Sequence, residues 1–354
     1  MFSSLPDPRA SNTRHRLSDV MFIALAASLC GAQSAVDYAQ FARSKRGLLE
    51  SFLGPFDPPS HDTFSRLFRR LDPEAFGQAF AAFARGFAAA LGDVVALDGK
   101  AMRRAYEAGG RAWPPIIVSA WAAEARLVLG ALKAEARAGE GEAATAVRLI
   151  GLLDLDGALV TGDALHCTRA MTAAIRARGG DYVLALKGNR GPLKAAAEAV
   201  LAEASTAQAA RTEETSHGRR ETRTARVAAI GSGAERHGFA GFSHVAEVTA
   251  VRDSGEPTRR LFIASRALGA DDMLAVTRAH WSVENSLHWS LDVIFGEDQV
   301  RARKDHAPAN IALINRLAKT LLERIDDPKT SIRQRIKKCA WEDKYLTKAI
   351  SHMQ

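Results

Sequence analysis

Three cysteines in 354 residues, Cys30, Cys167 and Cys339, are too few and too far apart for a disulfide framework or a CxxC metal site. The expected setting is therefore a reducing cytoplasm. Long apolar runs are also scarce. The longest candidate, Val20 to Cys30, follows Arg14, His15 and Arg16 as a secretory h-region would. Ser18 and Asp19 precede it, however, and no small-residue cleavage site follows. It is too short to cross a bilayer, so a buried helix is expected and no membrane is. No Walker A sequence occurs, and Gly231-Ser232-Gly233 lacks the helix and third glycine of a dinucleotide loop. His280 and His288 do not stand in HExxH order and have no cysteine nearby, which sets zinc aside.

What the chain does have is a composition of 47% hydrophobic and 25% charged residues, that of a folded protein with room for two or three domains. A formal charge of +8 calls for a polyanionic partner, most commonly nucleic acid. Charge alone says nothing about chemistry.

Residues 1–90 read as helical. Ser18 and Asp19 are placed to cap a first helix, a second spans 34–53, and Ser60 opens a third carrying Phe64, Leu67 and Leu71. Pro73 starts a fourth, in which Phe76, Phe80, Phe83 and Phe87 recur at helical spacing as a core stripe. From residue 91 the pattern changes. Val94 to Leu97 form a short apolar run that ends in Asp98, and Ile116–Trp121 and Leu127–Leu132 follow as strands about a turn at Glu124 and Ala125. A helix (142–153), a strand ending at Asp163, a helix (168–177), a strand (182–186) and an alanine-rich helix (193–204) come next. That order predicts an α/β fold with a mixed sheet and flanking helices, occupying 91–326. A β-rich insertion at 205–264 interrupts it, and a basic C-terminal segment follows at 327–354. A long helix is expected over 273–294, capped by Asp271 and Asp272.

The placement of acids suggests chemistry. Asp98 and Asp163 both end apolar strands, and ligands of α/β sheets gather at such ends. If the strands are neighbours, two carboxylates share one small volume and repel unless a cation intervenes. Hard oxygen donors of this kind suit Mg²⁺. Taken singly, each aspartate is better read as a cap or a turn residue. Glu284 is the third acid: His280, Glu284, His288 and Asp292 follow i, i+4 spacing, a polar row beside Trp281, Leu287, Trp289 and Val293. An ordinary amphipathic helix gives the same pattern.

Together, Ala96-Leu97-Asp98-Gly99-Lys100, Thr161-Gly162-Asp163-Ala164-Leu165-His166-Cys167, Asp181 to Asn189, and His280 to Asn285 running on to Leu291-Asp292-Val293 resemble the DDE transposases of bacterial insertion sequences, in their H-repeat-associated branch. Leu17-Ser18-Asp19 and Ser60-His61-Asp62-Thr63-Phe64 are similar to the associated N-terminal domain. The resemblance implies an RNase H-like fold and a metal site made by Asp98, Asp163 and Glu284, holding two Mg²⁺ ions with Mn²⁺ as the alternative. It implies cleavage of transposon ends and strand transfer into target double-stranded DNA, with a homodimer in the DNA complex. A related metal nuclease and a non-catalytic, transposase-derived DNA-binding protein are the competing readings. Lys100, Arg103, Lys187, Arg219, Arg220 and Arg223 are expected to contact DNA, with His217 and the cationic C-terminal residues Arg333, Arg335, Lys337 and Lys338 beside them. The wider group carries a tyrosine, an arginine and a later lysine around the glutamate. Here His280 stands four before it and Leu291 seven after, so His280, His288 and Asp292 are expected to take over part of the contact role.

Overall fold

A computed structural model describes residues 1–352 apart from 12, 91–93, 106–113, 135–140, 205–207, 217, 218, 232–236 and 254. The chain opens with helices α1 (Leu17–Leu29), α2 (Ala35–Ser44), α3 (Arg46–Leu53), α4 (His61–Arg70) and α5 (Pro73–Ala84). The single helix expected over 34–53 is two, because the backbone leaves helical geometry at Lys45 (φ −106°, ψ 23°). Ser18 does not cap α1 either. The helix begins one residue earlier, Ser18 Oγ bonds Asp19 at 3.0 Å, and Asp19 favours the first turn by its charge. Ser34, Ser60 and Asp72 do cap α2, α4 and α5. Phe76 and Phe80 are fully buried, whereas Phe83 and Phe87 pack edge to face at 5.0 Å on the half-buried side.

The sheet follows. β1 (Val94–Ala101), β2 (Ile116–Ala122) and β3 (Leu127–Lys133) are antiparallel neighbours, with Arg126 taking a positive φ of 56° at the short β2–β3 turn. Helix α6 (Glu142–Leu152) leads to β4 (Leu159–Gly162), and α7 (Arg169–Ala177) leads from it to β5 (Asp181–Leu186). A helical crossover returns a strand parallel, so β4 runs parallel to both β1 and β5. The order β3-β2-β1-β4-β5 is the mixed sheet that the element order predicts, and it agrees with the RNase H-like fold that the resemblance implies. Gly77 lets α5 press onto it: a Cβ there would fall 2.6 Å from the Ala131 carbonyl oxygen.

After α8 (Gly191–Glu203), strands β6 (Gln208–Ser216), β7 (Arg219–Ala229), β8 (His244–Arg252) and β9 (Thr258–Ala264) extend this same sheet. β9 pairs antiparallel with β5, and β8, β7 and β6 follow outward. The charged stretch around residues 215–223 forms the arms of the β6–β7 hairpin, with Ser216 opposite Arg219; His217 lies outside the described residues.

Helix α9 (Ala270–Ser282) starts three residues before the expected Met273, so Asp271 and Asp272 fall in its first turn, and the Gly269 N–H donates to Asp272 at 3.2 Å. It runs through a π-helical turn (Val283–His288) into α10 (Trp289–Val293). Helix α11 (Ala307–Arg324) is buried along nearly all its length between α1, α4, α5 and β3, its polar residues Asn310, Arg316 and Lys319 included. The C-terminal residues form α12 (Ile332–Trp341) and α13 (Asp343–Ser351), packed on α11 and α1. No helix among the described residues is long and apolar enough to cross a membrane.

Candidate active site

Register brings the first two acids together. β1 and β4 pair in parallel up to Leu97 opposite Gly162, and Asp98 and Asp163 are the next residue on each strand. β1 does not end at Asp98, as the apolar run suggested. It continues to Ala101 along β2, and Asp98 emerges because β4 stops beside it.

The two carboxyls are held differently. Asp163 Oδ1 accepts the Leu165 N–H at 2.8 Å and the His166 N–H at 3.4 Å, and the His166 Nδ1 lies 3.0 Å away. The His166 contact is the main reason its pKa falls to about 2, against the opposing effect of burial. Asp98 Oδ1 accepts the Gly99 N–H at 2.9 Å, and Oδ2 lies 3.6 Å from His288 Nδ1. Burial pushes the Asp98 carboxyl up to about 7; the Gly99 N–H opposes this, and the charges of Glu142 and Glu284 add to it. Neighbouring acids with divergent pKa values are a mark of functional sites.

Glu284 sits on the π-helical turn, anchored by the buried Val283 and Leu287 and by Ser282, whose Oγ accepts the indole N–H of the buried Trp121 at 3.0 Å. Its carboxylate is exposed and has no hydrogen bond or ion pair among the described residues. Asp98, Asp163 and Glu284 line one cavity of about 290 Å³, with Lys187, Arg260, His280 and Trp281 also in its wall. π-turns recur at functional positions. This one breaks the i, i+4 row. His280 bonds Thr161 Oγ1 at 3.0 Å and is held near pKa 4 by burial. His288 lies against Asp98, lowered to about 3 by burial and by the Arg316 and Lys100 charges. Asp292 turns away to Lys100 at 2.6 Å.

The donor set fits a hard divalent cation: three carboxylates face one cavity, and Asp98 has no Lys or Arg on it among the described residues. No three His, Cys, Asp or Glu groups among the described residues close a ready cage.

Comparison with known proteins gives the lineage. The profile "Transposase DDE domain" matches residues 90–320, and "DDE_Tnp_1-associated" matches residues 1–84. The chain belongs to the DDE transposase family. It is 31% identical to "Putative transposase YncI" of Escherichia coli O157:H7 over 99% of this chain and 93% of that protein. It is 29% identical to "H repeat-associated putative transposase YhhI" of Escherichia coli strain K12, over 99% of this chain and 96% of that one. A solved chain in a piggyBac transposase synaptic complex with hairpin DNA aligns at a TM-score of 0.45 and 12% identity, covering 98% of this chain and 75% of that one.

Within this DDE domain, the expected DNA-contacting residues fall into distinct places. Lys100 is buried, with its ammonium 2.6 Å from Asp292, 3.3 Å from Asp298 and 3.9 Å from Glu297, so it braces β1 rather than facing a ligand. Arg103 is exposed, its guanidinium 3.9 Å from Asp298. Lys187 is exposed on the cavity wall. Arg220 pairs with Glu213 at 2.5 Å and Arg223 with Glu221 at 2.9 Å. Arg219 begins β7. At the C-terminus, Arg335 is spent on the Leu322 and Asp327 carbonyls, and Lys338 pairs with Asp327.

Sequence reasoning passed over several residues. Arg260 on β9 stacks over Trp281 at 4.6 Å and borders both this cavity and a second groove of about 340 Å³, lined by Arg223, Arg252 and Glu284 among others. Asn189 Nδ2 donates to the Ala164 carbonyl at 3.1 Å and Arg190 Nε to that of Cys167 at 3.0 Å, clamping the loop that follows Asp163. The Asp181–Asn189 motif contained Asn189, but only the fold shows what it holds.

Proposed function

We propose that this chain is a DNA transposase that cuts transposon ends and joins the released 3′-hydroxyl to target double-stranded DNA. Asp98, Asp163 and Glu284 would hold two Mg²⁺ ions, with Mn²⁺ as the substitute. The observation that carries this reading is the meeting of the three acids on one cavity, Asp98 among them without a Lys or Arg partner among the described residues. Bound metal supplies activation of water or hydroxyl at a phosphodiester and charge stabilisation on the leaving oxygen. The residues divide the remaining work. Asp163, ionised at every working pH, offers its second oxygen; Asp98 must give up its proton on binding; Glu284 approaches from the π-helical turn. Lys187 and Arg260 border the acids and Arg223 and Arg252 line the adjoining groove, a path for a phosphodiester backbone leading to them. Joining two transposon ends calls for two copies of the chain in the working complex. The free cysteines suit a reducing cytoplasm.

The test uses purified protein and DNA carrying the inverted repeats that flank its reading frame. Nicks at the repeat ends that require Mg²⁺ or Mn²⁺, and joined products from pre-cut ends, are expected. Nicking without joining would reassign the chain as a nuclease. Binding with no cutting in either metal would reassign it as a DNA-binding derivative.

Replacing Lys187 and Arg260 together with Gln should weaken DNA binding roughly tenfold at moderate salt. The slope of log affinity against log salt should flatten by roughly two, as loss of two phosphate contacts requires. Anisotropy titrations at several salt concentrations measure both; an unchanged slope places the DNA elsewhere.

A further inference from the structure

We propose that Glu142 is a positioning residue for Asp163, acting through His166. The proposal rests on the metal-site reading above. Glu142 is the first residue of α6, far in sequence from the other acids, yet its carboxylate lies under β1 beside Asp98. Gly99 makes the room: a Cβ at that position would fall 2.3 Å from the Glu142 carboxylate. Among the described residues the one ion-pair partner of Glu142 is His166, with Nε2 3.7 Å from Oε1.

The His166 ring is completely buried. Its Nδ1 lies 3.0 Å from Asp163 Oδ1 on the opposite side, so the imidazole stands between the two carboxylates, with neither ring nitrogen hydrogen-bonded among the described residues. Oδ1 also accepts the Leu165 N–H, whereas Oδ2 has no hydrogen bond among the described residues. The Asp163 carboxylate is thus pinned by one oxygen, and the other is left for the cavity. Glu142 itself does not line that cavity. A ring flanked on one side only has nothing to limit its tilt on the other, and a carboxylate 3.7 Å behind the histidine supplies that limit. Gly99, Glu142 and His166 therefore form one device for aiming Asp163.

The test is Mn²⁺ binding to the full chain without DNA, read from the electron paramagnetic resonance signal of free Mn²⁺. Glu142→Gln should weaken binding roughly tenfold, the usual size of such an outer contact. His166→Asn keeps a donor near Asp163 but breaks the link, and in that background Glu142→Gln should add little, because the two act as a unit. Circular dichroism identifies the folded variants, and His166→Asn alone tests the link if Glu142→Gln fails to fold. Wild-type Mn²⁺ affinity in a folded Glu142→Gln variant, or full additivity of the two changes, overturns the positioning role alone. Absence of Mn²⁺ binding by the unaltered chain would remove the metal site, and this role with it.

Discussion

Asp98→Asn should lower Mg²⁺-dependent nicking by about a thousandfold or more and yet raise the melting temperature of the metal-free protein at pH 8. The loss follows from removing a charged ligand from the proposed metal site. The gain follows from linkage. The folded Asp98 carboxyl has a pKa of about 7 against an ordinary value of 3.8, so the folded state holds its proton more tightly than the unfolded one. Stability contributed by this group therefore falls as pH rises from about 4 to about 7, and the whole penalty is present at pH 8. The full shift corresponds to about 4 kcal/mol, and partial solvent access reduces this to about 2 kcal/mol. A neutral, nearly isosteric Asn escapes it, so a rise of several degrees is expected. Two controls sharpen the reading. Near pH 4 the melting difference should vanish, and Mg²⁺ should raise the melting temperature of the unaltered chain but not that of the variant. A variant that melts no higher at pH 8, or one that still nicks, would contradict this account of Asp98.

The part of this site legible in the sequence was the part set by backbone pattern. Apolar runs ending in Asp98 and Asp163 announce two buried strands, and neighbouring parallel strands then place the next residues side by side. The β-rich character after residue 205 was also visible, because short apolar runs such as Val245–Val251 are a local property, whereas the polar β6 was not. What was not legible depends on contacts across the fold. Lys100 reads as a surface cation in a basic motif. Only the arrival of Asp292, Glu297 and Asp298, nearly two hundred residues later, buries its ammonium among carboxylates. The π-helical turn left no trace, since Val283 to His288 contains neither proline nor glycine, and without it His280, Glu284, His288 and Asp292 look like one face. Glu142 reads as an ordinary acid in a first helical turn, and its approach to His166 needs Gly99, α6 and β4 in register together.

Glu297→Gln should destabilise the protein by about 3–5 kcal/mol, more than any substitution among the exposed charges. Glu297 and Arg316 are both completely buried, and the guanidinium meets the carboxylate at 2.6 Å. Arg316 Nε also donates to Ser119 Oγ at 2.9 Å, and Ser119 is the residue opposite Asp98 in the β1–β2 register. With Lys100 close by, two buried cations lie behind Asp98 and are balanced by Glu297, Asp292 and Asp298. Asp292 and Asp298 retain some solvent access, so Glu297 is the carboxylate that Arg316 cannot replace with water. An amide in its place leaves the guanidinium charged and unpaired in a dry site, which costs more than the pair ever contributed. Asp298→Asn, at the wetter edge, should cost only about 1 kcal/mol. Replacing the pair together, as Glu297→Leu with Arg316→Met, should recover much of the loss, because the penalty belongs to the orphaned charge. Urea titrations of the four proteins decide the matter. If the double variant is as unstable as Glu297→Gln, packing rather than charge balance governs the base of the site. If it recovers stability but loses nicking, the buried cations also set the electrostatics of Asp98.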